Sequence, residues 1–222
     1  MTVRRLLAER VDVNNRNEDN GWTVLMVAAA GDHADVVAEL VAQPEIDVNA
    51  RAEGERTALH LAAERGHEGV VAALGRHPEI DPNAKDALGR TALILAAFND
   101  WARVVELLLA FPRSDPNLVD RDRQTALHWA ALGGHLDVVR RLLGDPRTNA
   151  GITNRPDGDT AQRVAAAAGR DAAAAVLEER MRTDPGIDEL SPGDARPARP
   201  EEAPVFYTRP FIPEPPDLRE PD

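Results

Sequence analysis

The sequence predicts an all-α solenoid of stacked helix pairs with β-hairpin-like arms, followed by a disordered C-terminal tail. A threonine-led segment recurs from Thr23, Thr57, Thr91, Thr125 and Thr160, at steps of 34, 34, 34 and 35 residues, which is a period typical of solenoid proteins. Each segment contains two short helical patterns, and a turn separates the first from the second. Ten of the 17 prolines fall in the last 40 residues, where neither helical nor strand periodicity is present.

The first helix of each unit is predicted to begin at its threonine. In the unit from Thr57, the hydroxyl can accept a backbone N–H, and His60 three residues later can reach back to the backbone of Thr57. Thr125 and His128 repeat this arrangement. Gly66 is expected to end the helix because glycine adopts the left-handed conformation at little steric cost.

The second helix and a turn-rich arm complete the unit. Val70, Val71 and Leu74 form one apolar stripe, and Pro78 blocks continuation of the helix. Residues 80–90 read as extended and turn-like, because asparagine and aspartate side chains bond their own backbone. Neither helix is long enough to be stable alone, so each repeat must bury its apolar face on its neighbours.

The pattern TALHLAAERGHEGVVAAL, followed by IDPNA, resembles the ankyrin repeat, and the resemblance covers roughly residues 3–180. Ala58 stands where the ankyrin pattern usually has proline, and the loop after the second helix is one residue longer than usual. The tetratricopeptide repeat shares the period but lacks a threonine-capped first helix and an arm rich in asparagine and aspartate.

The resemblance implies an ankyrin domain over residues 1–182. The proline-rich, acidic composition of residues 183–222, with no helical or alternating pattern, predicts a disordered tail. Within the domain we expect an N-terminal cap at 3–22, repeats from 23, 57, 91 and 125, and a C-terminal capping repeat from 160. The tail carries ten acidic against four basic residues. It also holds an apolar cluster, which is either a chance grouping or a short docking motif for another protein or for the protein's own groove: Val205, Phe206, Tyr207, Phe211 and Ile212.

Composition limits the classes of partner. The chain has 38 acidic and 26 basic residues, a net charge of −12, and such a field repels nucleic acid. There is no cysteine, which excludes disulfides, thiolate metal sites and a cysteine nucleophile. With no signal-peptide pattern and no apolar run of membrane-spanning length, we expect a cytoplasmic monomer with no membrane partner.

No arrangement of residues indicates catalysis. The histidines recur with the repeat, so their spacing indicates a structural role, and no phosphate-binding glycine motif is present. Since no nucleophile, base and oxyanion arrangement can be assembled, we expect neither an enzyme nor a cofactor or metal site.

The ankyrin resemblance implies a non-catalytic adaptor that binds a protein partner through the concave surface made by the arms and the exposed side of the first helices. The alternative is a regulatory subunit that inhibits a partner enzyme by covering its active site; co-purification of an enzyme whose activity rises on dissociation would favour it. The implied contact positions lie just before each threonine or just after each Ala-Ala pair: Trp22, Arg56, Leu88, Arg90, Arg121, Asp122 and Gln124, with Glu64, Arg65, Phe98, Asn99 and Leu132.

Four apolar residues lie at positions that packing within the solenoid does not require, and we expect them to be the apolar contacts for a partner: Trp22, Leu88, Phe98 and Leu132. The alternative for Phe98 is that it packs against Trp101 and fills a local gap. Trp101 stands where the other repeats have the histidine that opens the second helix.

Overall fold

The computed structural model describes residues 12–154 and 158–183, which form ten α-helices arranged as five pairs. In chain order these are α1 Val24–Ala30, α2 Ala34–Val41, α3 Ala58–Arg65, α4 Glu68–Leu74, α5 Ala92–Phe98, α6 Ala102–Leu109, α7 Ala126–Gly133, α8 Leu136–Gly144, α9 Ala161–Ala167 and α10 Asp171–Thr183. Within the described ranges no β-strand forms, and two isolated bridges join Arg16 to Thr23 and Thr153 to Thr160. The all-α prediction is confirmed.

The helices stack in two layers. Each first helix contacts the first helix of the next repeat, so α1, α3, α5, α7 and α9 follow one another, and the second helices α2, α4, α6, α8 and α10 do the same. The paired alanines at the centre of the first helices, such as Ala62 and Ala63, are fully buried, because small side chains let neighbouring helices approach closely. The predicted repeat solenoid is therefore confirmed.

The threonine caps form as predicted. The hydroxyl of Thr23 accepts a hydrogen bond from the backbone N–H of Met26 at 3.3 Å, and reciprocal caps join Thr57 to His60 and Thr125 to His128. The Nδ1 atom of His60 accepts the Thr57 N–H at 3.2 Å, so Nε2 carries the proton and donates it to a carbonyl of the next repeat. One neutral histidine thus caps its own helix and bonds the following arm.

A second set of bonds joins the start of each later second helix to the preceding repeat. The predicted opening residues of these helices, His33, His67 and His135, are N-caps, and so is Trp101. A side-chain nitrogen donates to the carbonyl at the end of the previous first helix in four repeats: His67 to Ala30 at 3.2 Å, Trp101 to Glu64 at 2.9 Å, His135 to Phe98 at 3.1 Å and Arg170 to Leu132 at 3.2 Å. Trp101 therefore replaces histidine without loss of this bond.

An asparagine ladder joins the loops that follow the second helices. The side-chain amide of Asn49 donates to the carbonyl of Glu79 at 2.7 Å, and its oxygen accepts the N–H of Asp81 at 2.9 Å. The same pair of bonds recurs at Asn14, Asn83 and Asn117. The predicted local bonds also form, as in Asp81 accepting the N–H of Asn83 at 3.0 Å. The bonds between repeats were not predicted.

Gly66 provides a test of this packing. It has φ +78° and a Cβ there would lie 2.5 Å from the Trp101 ring, whereas Gly169 has φ +67° and open space around its Cβ position. We expect Gly169→Ala to cost about 1 kcal/mol for the left-handed backbone alone. Gly66→Ala should cost about 1–3 kcal/mol more, because the indole must move. Urea unfolding of both variants measures the difference; equal costs would show that Trp101 does not pack tightly on Gly66.

Candidate functional site

The arms form a continuous ladder of backbone hydrogen bonds along one side of the solenoid. We define arm 1 as residues 17–22, arm 2 as 52–56, arm 3 as 86–90 and arm 4 as 120–124. Each arm is closed by a bond between its first N–H and its last carbonyl, at 2.9 Å in arm 3. Adjacent tips are joined by bonds from Glu53 N to Asn20 O at 3.2 Å, from Ala87 N to Gly54 O at 2.7 Å and from Arg121 N to Leu88 O at 3.0 Å.

Glycine is required where arm 3 meets arm 4. Gly89 has φ +76°, and a Cβ there would lie 3.0 Å from the backbone nitrogen of Arg121. The equivalent residues of the other arms, Gly21, Glu55 and Arg123, also have positive φ. The four arms therefore share a left-handed residue two positions before the threonine, so their tip residues can be placed in one row. Arm 2 has a second left-handed residue, Gly54, and arm 1 is one residue longer.

A buried ion cluster lies behind arm 2. Glu64 at the end of α3 is 4 % exposed, and one of its carboxylate oxygens lies 2.6 Å from Arg56 and 3.5 Å from Arg65. Burial lowers the pKa of Arg65, partly offset by the charge of Glu64 and reinforced by that of Arg56. The structure thus brings these three predicted residues together, but their charges are largely engaged with one another.

A buried aspartate holds arm 3 rigid. One carboxylate oxygen of Asp86 accepts the backbone N–H groups of Leu88 and Arg90, at 2.9 and 2.8 Å. The other oxygen lies 2.9 Å from Nε and 2.7 Å from Nη2 of Arg90. The charge of Arg90 is therefore neutralised inside its own arm.

The equivalent aspartate of arm 4, Asp120, has a different side-chain partner. Asp120 accepts the N–H groups of Asp122 and Gln124, both at 2.9 Å, but its second oxygen accepts the indole N–H of Trp129 at 2.8 Å. Burial raises the pKa of Asp120, and the charge of Asp122 adds to the rise, while the hydrogen bonds from Gln124, Trp129 and Asp122 oppose it. Arms 3 and 4 are thus fixed by an internal carboxylate in each case.

The comparisons with known proteins agree with this architecture. A protein-family model described as ankyrin repeats, in three copies, matches residues 1–86 and 77–151. The chain belongs to the ankyrin-repeat family. Ankyrin repeats generally mediate protein–protein interaction and are typically non-catalytic modules. The search of curated proteins finds no match to this ankyrin protein.

The four predicted apolar contacts have different environments in the ankyrin stack. Trp22 is only 8 % exposed and belongs to the same apolar core as Leu25, so the expectation that packing does not require it is wrong. Trp22 is the last residue of arm 1, and its backbone N–H donates to the side-chain oxygen of Asn17 at 2.8 Å. Phe98 and Leu132 are half-buried against the core. Leu88, by contrast, is 50 % exposed.

Phe98 packs against a tryptophan ring, as the alternative expected, but that tryptophan is Trp129 and not Trp101. Its ring meets that of Trp129 edge to face, with centroids 5.2 Å apart and planes at 86°, a favourable aromatic geometry. Trp101 lies against Gly66 instead. Asn99 is also engaged, since its amide donates to the carbonyl of Leu95 at 2.9 Å.

Sequence reasoning missed two charged residues of the arm tips. Glu55 and Arg123 lie two residues before their repeat threonines, where arms 1 and 3 have glycine, and both are exposed. Alignment of the repeats on their threonines reveals them, because a column of glycines and charged residues indicates a solvent-facing turn. The predicted residues Arg121 and Asp122 are exposed beside them on arm 4.

Two further observations concern the described ranges alone. No three or more histidine, aspartate and glutamate side chains in residues 12–154 and 158–183 gather as a possible metal site. None of the helices in this part of the chain is long and apolar enough to cross a membrane. The predicted tail motif at Val205 to Ile212, and residues 3–11 of the predicted N-terminal cap, lie outside the described residues.

Proposed function

We propose that this ankyrin domain is a non-catalytic adaptor that holds a partner protein against its arms and the adjoining ends of its first helices. The observation that carries the proposal is Leu88, a large apolar side chain that is 50 % exposed at the tip of arm 3. The proposal keeps the expectations of a monomeric, cytoplasmic protein whose residues 183–222 provide a second binding segment.

Leu88 is held in place without being packed. Its N–H donates to Asp86 at 2.9 Å, and its carbonyl accepts the N–H of Arg121 at 3.0 Å. A side chain on a fixed backbone loses little freedom on binding. Full burial of a leucine side chain contributes about 1.5–3 kcal/mol, so a partner that covers the exposed half of Leu88 gains about half of that amount.

The surroundings of Leu88 favour the same role. Arg90, two residues after Leu88, has a side chain that is 17 % exposed, and the exposed Arg121 donates its backbone N–H to the Leu88 carbonyl. Arginine is enriched at protein–protein interfaces, so these neighbours support a contact surface around Leu88. Half-buried Phe98 and Leu132 lie farther away, at the ends of α5 and α7 remote from the arms.

Leu88→Ala should weaken partner binding about four- to tenfold, which is about 0.8–1.4 kcal/mol, and should leave the Tm within about a degree of the parent because little packing is lost. The partner is first identified by affinity capture from the native cell with mass spectrometry. Its affinity for the parent and the variant is then measured by calorimetry.

Trp101→Ala is the matched control, since Trp101 is also exposed, at 41 %, but opens α6 at the other end of the first helices from the arms. It should lower the Tm, because its bond to Glu64 is lost, and should leave the affinity unchanged. Equal affinities of the parent and Leu88→Ala would contradict the proposed contact surface.

A further inference from the structure

Charge changes sign along the arm tips of this protein. We define the tip row as the positions four and two residues before each repeat threonine. The first position holds Asp19, Glu53, Ala87 and Arg121 in arms 1 to 4, and the second holds Gly21, Glu55, Gly89 and Arg123. The tips of arms 1 and 2 are therefore acidic and that of arm 3 is uncharged. The tip of arm 4, residues 121–123, has a net charge of +1 from two arginines and Asp122, while the buried Asp120 makes arm 4 as a whole formally neutral.

The charges of the tip row are available to a partner. Asp19, Glu53, Glu55, Arg121 and Arg123 are all exposed. Glu55 pairs with Arg51 at 3.2 Å, and the two side chains are 61 % and 44 % exposed; such a surface pair contributes little and leaves the carboxylate accessible. The inner pairs Asp86–Arg90 and Arg56–Glu64 are different, because each is neutralised within the fold.

Leu88 lies where the sign changes. It occupies the position between the two charged columns, in the arm whose own tip residues, Ala87 and Gly89, are uncharged. The ladder of tip bonds sets the register of all four arms. The row thus presents an acidic half, one fixed apolar side chain and a basic half in that order.

The dimensions of the row match an extended peptide. Each arm leads into a first helix, and the first helices of neighbouring repeats are packed on one another at the usual interaxial distance of about 8–10 Å, so neighbouring arms repeat at about 10 Å. Arms 2 and 4 are then about 20 Å apart, which an extended chain spans in about six residues at about 3.3 Å each. Screening acts over about 8 Å at physiological ionic strength, so a partner experiences the two halves as separate charges.

We infer that the partner contributes an extended protein segment with a basic half and an acidic half, separated by an apolar side chain that packs on Leu88. The inference rests on the proposed function and specifies the chemistry of its partner. The apolar contact supplies most of the affinity, while the charges set which end of the segment meets which arm. A nucleic acid does not fit this row, because its phosphates would be repelled by arms 1 and 2.

The inference is tested with a designed peptide and the full-length protein. The probe is a labelled 12-residue peptide with a lysine pair and a glutamate pair about six residues apart and a leucine midway. The control peptide has the same composition with lysine and glutamate alternating. By fluorescence anisotropy at low ionic strength, the probe should bind at least about tenfold more tightly than the control. Equal affinities would overturn the inference.

Charge exchange in the protein supplies the second arm of the test. The pair Glu53→Lys with Glu55→Lys makes the row basic, and the pair Arg121→Glu with Arg123→Glu makes it acidic. Each pair should reduce probe binding about tenfold. The four changes together should restore it to within about threefold, because arms 2 to 4, which the peptide's spacing of about six residues spans, are again polarised. The peptide can then lie in the opposite direction; Asp19 of arm 1 is unchanged. A fourfold variant as weak as the pairs would also overturn the inference.

These outcomes are separable from failure of the proposed function. Thermal melts check that all variants are folded, since the changes lie on exposed tips. If Leu88→Ala weakens the native partner but both peptides bind equally, the adaptor surface stands and only the partner chemistry is wrong. If the native partner ignores Leu88→Ala, the proposed function itself is wrong.

Discussion

Leu93→Ala is expected to lower the free energy of unfolding by about 3 kcal/mol, within the range of about 2–5 kcal/mol for a buried leucine. Leu93 is 3 % exposed in α5, and α5 is packed between α3 and α7. The substitution leaves a cavity that rigid helices on both sides cannot close. Urea unfolding followed by circular dichroism measures the change.

Leu88→Ala is the matched control, since it is the same substitution in the same repeat at a residue that is 50 % exposed. Its cost should stay below about 0.5 kcal/mol. Leu127, the equivalent of Leu93 in the next repeat, is 2 % exposed and should behave like Leu93. Similar costs for Leu93→Ala and Leu88→Ala would refute the assigned register of the repeat.

Acidification should destabilise the solenoid well before its carboxylates are protonated. Burial lowers the pKa of His60 from 6.5 to about 4, and burial also lowers the pKa of His128. Both are neutral in the folded state and bind protons more readily when unfolded. The stability they contribute is therefore complete above pH 6.5 and is lost as the pH falls toward 4. For His60 the loss is about 3 kcal/mol.

Unfolding free energies measured from pH 7.5 to 4 test this expectation. In His60→Gln the loss of unfolding free energy between pH 7.5 and 4 should be smaller than in the parent by about 3 kcal/mol. Asp120 does not add to the loss: burial raises its pKa, so its protonation in acid favours the folded state. Identical slopes for the parent and His60→Gln would contradict the assigned role of His60.

The elements of one repeat could be predicted from its own residues. Threonine caps, the His60 and His128 caps and the glycine turn at Gly66 are local, because each joins residues a few positions apart. The 34-residue period then placed the same elements in the other repeats. The starts of the first helices and the all-α class followed from these signals. The end of the second helix did not: α4 ends at Leu74, four residues before Pro78.

The bonds between repeats could not be predicted in the same way. Asn83 donates to the carbonyl of Arg113 and Trp101 donates to that of Glu64. Both acceptors are backbone carbonyls, which every residue type has, so the sequence does not identify them. The burial of Trp22 is similar: its position in the repeat indicated an exposed arm, but arm 1 turns it into the core of the first repeat.

The candidate site was predicted in part for the same reason. Leu88 and Arg121 lie at exposed tips as their positions in the repeat indicated. The ion pair of Arg56 with Glu64 depends on where α3 ends relative to arm 2, and the repeat pattern does not predict that distance. Sign reversal along the tips becomes visible only when the arms are in register.

The repeated bonds at the junctions have a consequence for how such a chain evolves. At each of the four junctions between helix pairs, a side-chain nitrogen donates to a carbonyl near the end of the preceding first helix. In addition, asparagine side chains of the loops after the second helices bond the backbone of the next such loop. A duplication that inserts one 34-residue unit therefore creates no interface that the protein does not already contain. Such a gene can gain or lose whole units while the fold stays the same, and the segment that we propose it binds would then change in length by about three residues per unit.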